Sequence, residues 1–122
     1  MNSPSKTVVM LASDLMLSST VSGFAAAAGL GFQTASDVGS LKQALAASDD
    51  ILCLIDIGLP GFNAADLAAA VPADVLKRAI AYGPHVHTEK LKSAEHAGIG
   101  TVISRGQFSS QIGQLISAFA SE

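Results

Sequence analysis

The chain alternates between short apolar runs and stretches of helical spacing. The cycle repeats five times between Thr7 and Phe119. Strands that take turns with helices call for a parallel sheet, because each parallel connection needs a crossover. The first strand is expected over Thr7–Leu11, followed by a helix with Leu17, Val21, Phe24 and Ala28 on one face and Gly29 as a left-handed C-terminal cap. A second strand is expected over Gly31–Ala35. Ser36 or Asp37 then caps a helix that buries Val38, Leu41 and Leu45. Asp49 and Asp50 precede the third strand, Ile51–Asp56. The alanine-rich stretch Ala64–Ala70 reads as a helix that stops before Pro72 and buries little area. A fourth strand is expected over Arg78–Tyr82. Thr88 caps a helix running to Ala97 and ended by Gly98, and a fifth strand covers Thr101–Ser104. Ser109 is expected to cap the last helix, with Ile112, Leu115, Ile116 and Phe119 toward the core. Five strands and five helices joined by right-handed crossovers make a doubly wound α/β sandwich, with helices on both faces of the sheet.

Composition narrows the function. The 122 residues suit a single domain, 1–122, and 49% hydrophobic against 14% charged residues supplies a core and rules out a disordered chain. The net charge is −3 with no basic block, and there is no Trp and one Tyr, so neither the electrostatic footprint nor the stacking platform of a nucleic-acid binder is present. No stretch approaches the roughly 18 apolar residues of a membrane span. The N-terminal segment is too short in apolar residues and too early in acid for a secretory signal. The lone Cys53 lies inside the apolar third strand and reads as a buried small hydrophobe. These features fit a cytoplasmic protein.

Asp56 ends the run Ile51-Leu52-Cys53-Leu54-Ile55 and opens onto Ile57-Gly58-Leu59-Pro60-Gly61. A carboxylate at the end of a buried strand is costly, and the carboxyl ends of parallel strands are where open α/β sheets hold their ligands. The stretch Asp56–Gly61, with Asn63 beyond it, resembles the phosphoacceptor segment of response-regulator receiver domains. Ala97-Gly98-Ile99-Gly100 is similar to that family's turn before the last strand, and Gly29 before an extended segment is a third anchor. The resemblance spans Lys6 to Phe119. It implies a flavodoxin-like (βα)5 fold with strand order 2-1-3-4-5.

The resemblance also implies a set of supporting groups, because phosphoryl transfer spreads negative charge that donors and cations must meet. The family's magnesium-binding acidic pair falls here on Ala12 and Ser13. Asp14, next along, reads as a helix N-terminal charge. The family's Thr or Ser after the fourth strand falls on Gly83, or on Tyr82 one residue earlier. Its Lys falls on Arg105, and its aromatic reporter on Val102. The aspartate is kept while most of its helpers differ, so the chain resembles a degenerate receiver. Asp56, Arg105 as its charge partner and Gly83 are the expected site, with His85 lining the same crevice. The resemblance implies two-component or phosphorelay signalling by protein–protein interaction, with no enzyme activity of its own and no cofactor. The alternative is a phosphoacceptor receiver phosphorylated on Asp56 by a partner histidine kinase, and magnesium belongs only to that alternative.

Other readings are weaker. His85, His87 and His96 lack a second Cys or a helical HExxH pattern, so a zinc site is not expected. A flavin or nucleotide site would need a glycine-bearing phosphate loop after the first strand, where Ala12-Ser13-Asp14-Leu15 stands instead. A serine hydrolase would need a GxSxG elbow. The last strand and helix, with Gln107, Gln111 and Gln114 outward, offer a face for a weak homodimer. The expected partners are proteins: a histidine kinase, an effector domain or another signalling protein.

Overall fold

The computed structural model describes residues 6–47 and 49–122. The expectation about a secretory signal concerns, in its first five positions, residues outside that range. Five strands, β1 (Lys6–Leu11), β2 (Gly31–Ala35), β3 (Asp50–Asp56), β4 (Ile80–Gly83) and β5 (Thr101–Ser104), form one parallel sheet in the order β2-β1-β3-β4-β5. The helices among the described residues are α1 (Leu15–Ala27), α2 (Val38–Ala46), α3 (Ala64–Ala70), α4 (Ala73–Arg78), α5 (Thr88–His96) and α6 (Arg105–Ala120). This is the expected doubly wound fold and strand order.

Alternation along the strands divides the core in two. Val9, Leu11, Ile51, Cys53 and Ile55 pack toward α2, α3, α4 and α5, while Val8, Met10, Leu52, Leu54 and Tyr82 pack toward α1 and α6. Central strand β3 is buried on both faces, which is why it reads as a continuous apolar run. Burial pushes the Cys53 thiol up to about 12, so it stays protonated and packs as a small apolar group. Gly29 and Gly98 close their helices at φ 77° and 100°, as expected of left-handed caps. Lys6 Nζ donates to the carbonyls of Phe119 and Glu122 at 2.9 and 2.6 Å, fastening the end of α6 to the start of β1.

Several boundaries differ from the sequence expectation. Pro72 does not simply end a helix; it precedes a second short one, α4, so β4 begins at Ile80 rather than Arg78. Asp74 in the first turn of α4 and Lys77 and Arg78 in the last suit the helix dipole. Arg78 turns outward to pair with Asp50 at 2.9 Å and Glu122 at 3.2 Å. The last helix is capped by Ser104, not Ser109, because Ser104 and Gln107 form a reciprocal capping box one turn earlier. Asp37, with Ser40, builds the same device on α2. Thr88 is the first residue of α5 rather than its cap, a place held by His87. On α1 the buried stripe is Leu17, Val21 and Ala25, which rotates Phe24 to the side. The fold thus delivers Asp56 to the carboxyl edge of the sheet, with the β1, β4 and β5 edges around it.

Candidate functional site

Asp56 is the last residue of β3 and only 7% exposed. Its Oδ1 accepts from the Gly58 N–H at 2.8 Å. A Cβ at position 58 would stand 3.1 Å from that same oxygen, so glycine keeps the donor close. The Ile57 N–H donates to the Tyr82 carbonyl at 3.0 Å, which locks the β3 loop to β4. Burial raises the Asp56 pKa above the ordinary carboxylate value; the Gly58 hydrogen bond and the positive charge of Lys90 oppose this without overcoming it.

The raised pKa sets a direction for stability. A buried acid that holds its proton more tightly in the folded state loses stability as pH rises through its folded pKa. Asp56→Asn keeps an oxygen for the Gly58 N–H and removes the charge. It is expected to raise the urea midpoint at pH 7, with the gain vanishing near pH ~3.5, below the unfolded carboxylate value. A gain that persists unchanged at acid pH would show that ionisation of Asp56 is not its source.

Arg105 does not pair with Asp56. It opens α6, and its Nη2 meets Asp14 Oδ2. Asp14 Oδ1 at the same time accepts from the Leu17 N–H at 3.0 Å and caps α1. The expectation of Asp14 as a helix N-terminal charge therefore holds, and that of Arg105 as the partner of Asp56 does not. The Asp14 carboxylate is fixed at the head of α1, within reach of the first residue of α6, while Asp56 is buried at the end of β3. The cation that acts on Asp56 is Lys90, near the start of α5. It escaped the sequence reading, although the short loop from β4 to α5 had already placed the first turn of that helix at the same sheet edge.

Gly83 ends β4 beside the β3 loop. A Cβ there would come to 2.5 Å of Ile57 Cγ1 and 2.9 Å of its Cδ1, and Ile57 is fully buried. The space a Ser or Thr side chain would fill at this position is occupied by Ile57. Tyr82, one residue earlier, does not substitute. Its ring is buried and stacks on Phe108 with centroids 4.1 Å apart and planes 5° from parallel. Its hydroxyl is buried without a hydrogen-bond partner among the described residues, and burial, then the Asp56 charge, raises its pKa. Val102 is half-buried in β5 and packs on the core. His85 is exposed rather than folded into the crevice, and the His87 N–H closes the turn by donating to the Pro84 carbonyl at 2.9 Å. Among the described residues no three His, Cys, Asp or Glu side chains gather into a metal-binding group. Beyond the crevice, an open groove of about 820 Å³ runs between α3 and α5, lined by Ala64, Ala65 and Ala68 on one side and Lys90, Ser93 and His96 on the other.

The fold is that of receiver domains. The response-regulator receiver domain from Rhodospirillum rubrum superposes with a TM-score of 0.70 at 19% identity, over 95% of this chain and 94% of that one. The receiver domain of a sensor histidine kinase from Pseudomonas aeruginosa, with a magnesium ion in its active-site cleft, gives 0.72 at 9% identity, over 95% of this chain and 98% of that one. An uncharacterised protein from Neptuniibacter caesariensis gives 0.75 at 10%, over 98% and 90%. No protein-family model and no curated protein matches the chain. At these identities the likeness establishes the receiver fold, and the residues at the sheet edge carry the rest of the argument.

Magnesium does not fit this edge well. It takes near-octahedral oxygen ligands, commonly from one or two carboxylates. The two residues that follow β1, Ala12 and Ser13, carry no carboxylate, and Asp14 already serves the α1 cap and Arg105. Among the described residues no helix is long and apolar enough to cross a membrane.

Proposed function

We propose that this chain is a receiver-like signalling module of a two-component or phosphorelay system that works by binding a protein partner, without magnesium-dependent phosphorylation of Asp56. The pairing of Asp14 with Arg105 carries this reading. It takes up the acid that follows Ala12 and Ser13, where the resemblance puts the family's acidic pair, and the cation where it puts the family's Lys, and joins them to each other. The filled space beside Gly83 supports it further, since a transferred phosphoryl group would find no hydroxyl there. Such a module has no turnover of its own and acts in the cytoplasm, where two-component partners meet. Lys90 favours the competing reading, a phosphoacceptor completed by its kinase, because it puts a positive charge near Asp56.

The two readings separate in an amide NMR titration with magnesium and beryllofluoride, a mimic of aspartyl phosphate. The expected spectrum is unchanged at Asp56, Gly83 and Arg105 at millimolar magnesium. Saturable shifts centred on those residues would overturn the proposal and restore Asp56 as a phosphoacceptor.

A further inference from the structure

The groove of about 820 Å³ between α3 and α5 lies in the size range of small-molecule sites, roughly 300–1,000 Å³. The alanines of α3 leave it open. Where α3 lines the groove it presents Ala64, Ala65 and Ala68, whose methyl groups are too short to reach across to α5. Phe62, Ala64, Ala68 and Ala97 are half-buried and make an apolar floor, with Phe62 and Ala68 resting on the core beneath. Covering such a floor removes apolar surface from water, which is favourable.

The polar groups lie on the other wall. Asn63 is occupied, since its side chain caps α3 by accepting from the Asp66 N–H at 3.0 Å. Along α5 the groove meets Glu89, Lys90, Ser93 and His96. Residues seven apart fall on nearly one line of a helix. Glu89 and His96 share one such line, and both are exposed, so they form the outer rim. Lys90 shares the next line with half-buried Ala97, which marks it as the inner one, beside the floor. The Lys90 charge also acts on buried Asp56, in keeping with a place on the sheet side of α5. Its ammonium forms no hydrogen bond or salt bridge among the described residues. Ser93, three residues on, adds a hydroxyl that can donate.

We propose that the groove between α3 and α5 binds a small amphipathic carboxylate, its apolar body on the floor of Phe62, Ala64, Ala68 and Ala97 and its charge at Lys90 and Ser93. From position 90 to position 97 the helix rises about 10 Å. A ligand of that length spans from the ammonium to the far end of the floor. Charge sets the sign of the ligand. A carboxylate meets the free ammonium while its body stays on the floor. An amine in the same pose lies against Lys90, and to reach Glu89 it must move outward to the rim and leave the floor. Lys90 is exposed, so water screens its charge and its contribution is modest. Most of the affinity comes from the apolar body. The proposal stands whether or not Asp56 accepts phosphate.

The test is an amide NMR titration of the full chain at neutral pH with 4-phenylbutyrate, without magnesium or beryllofluoride. 4-Phenylbutanol and 4-phenylbutylamine share its body and differ in charge. For a ligand of about a dozen heavy atoms a dissociation constant on the order of 1 mM is expected, so the titration runs to about 20 mM. Saturable shifts are expected at Phe62, Ala68, Ser93 and Ala97. The alcohol and the amine are expected to bind about threefold more weakly, or worse. Lys90→Met keeps an apolar stem at an exposed position, so the chain stays folded. It is expected to weaken the carboxylate about threefold and leave the alcohol unchanged. Lys90→Arg is expected to keep the carboxylate's advantage. Four results overturn the proposal: no saturable shift, shifts centred away from the groove, an amine that binds as tightly as the carboxylate, or a carboxylate indifferent to Lys90→Met.

Discussion

Gly100→Ala is expected to lower the unfolding free energy by about 3 kcal/mol or more. A Cβ at this position would lie 1.7 Å from the Lys77 carbonyl oxygen and 2.6 Å from its carbon. Both neighbours are backbone, so no side chain can rotate out of the way. Gly100 is also fixed where it stands: its N–H donates to the Leu76 carbonyl at 3.0 Å, and the next N–H, of Thr101, donates to the Ala79 carbonyl at 3.1 Å. The methyl group must therefore break these bonds or push α4 away from the start of β5. The requirement is one of space, because the backbone here is not left-handed. Gly106→Ala provides the contrast, since a Cβ there meets nothing within 4 Å and α6 gains a better helix former. Urea denaturation should show a large drop in midpoint for the first variant and none for the second. Equal losses in both would mean that the close approach at Lys77 does not hold in solution.

Phe108→Ala is expected to cost about 3–5 kcal/mol, the range for a fully buried aromatic cut back to alanine. Phe108 has no exposed surface and lies flat on the Tyr82 ring, so the variant opens a cavity and strips one face of that ring. Tyr82→Phe should behave in the opposite way. Its hydroxyl is buried without a partner among the described residues, so removing it is expected to leave stability unchanged or raise it by about 1 kcal/mol. The two variants together distinguish ring packing from hydroxyl chemistry. If Tyr82→Phe instead proves as damaging as Phe108→Ala, the hydroxyl has a partner in solution, such as a buried water.

The fold was open to reading because its signal is periodic. Strands of alternating or continuous apolar residues, helices with Leu17, Val21 and Leu41, Leu45 at four-residue spacing, and glycines at helix ends depend only on local order. The same logic located Asp56 at a strand end, while Gly83 and Arg105 came only from the resemblance to receiver domains. Local logic failed where a choice was made in three dimensions. The sequence argument paired Arg105 with Asp56 alone, and only the fold shows that the head of α1 presents Asp14 to it. Lys90 lies 34 positions beyond Asp56 in the chain and acts on it only because α5 starts at the same edge. The six residues of α4 were too few for a periodic pattern, and Pro72 reads equally well as a stop and as a start. The cap at Ser104 is masked in the sequence pattern because Ser104 also closes β5, so one residue serves both elements.

Ile57 packed against Gly83 makes the crevice resist change one residue at a time. A Ser or Thr placed at 83 would collide with a buried isoleucine branch, and overpacking of that kind costs about 1–3 kcal/mol. Trimming Ile57 first would open a void beside Gly83, at about 0.5–1.5 kcal/mol for even the smallest step, to valine. Either substitution alone leaves a weaker protein with no new ability. A hydroxyl beside Asp56 is therefore reached only through a less stable intermediate chain, so packing alone disfavours it, whatever the role of phosphate.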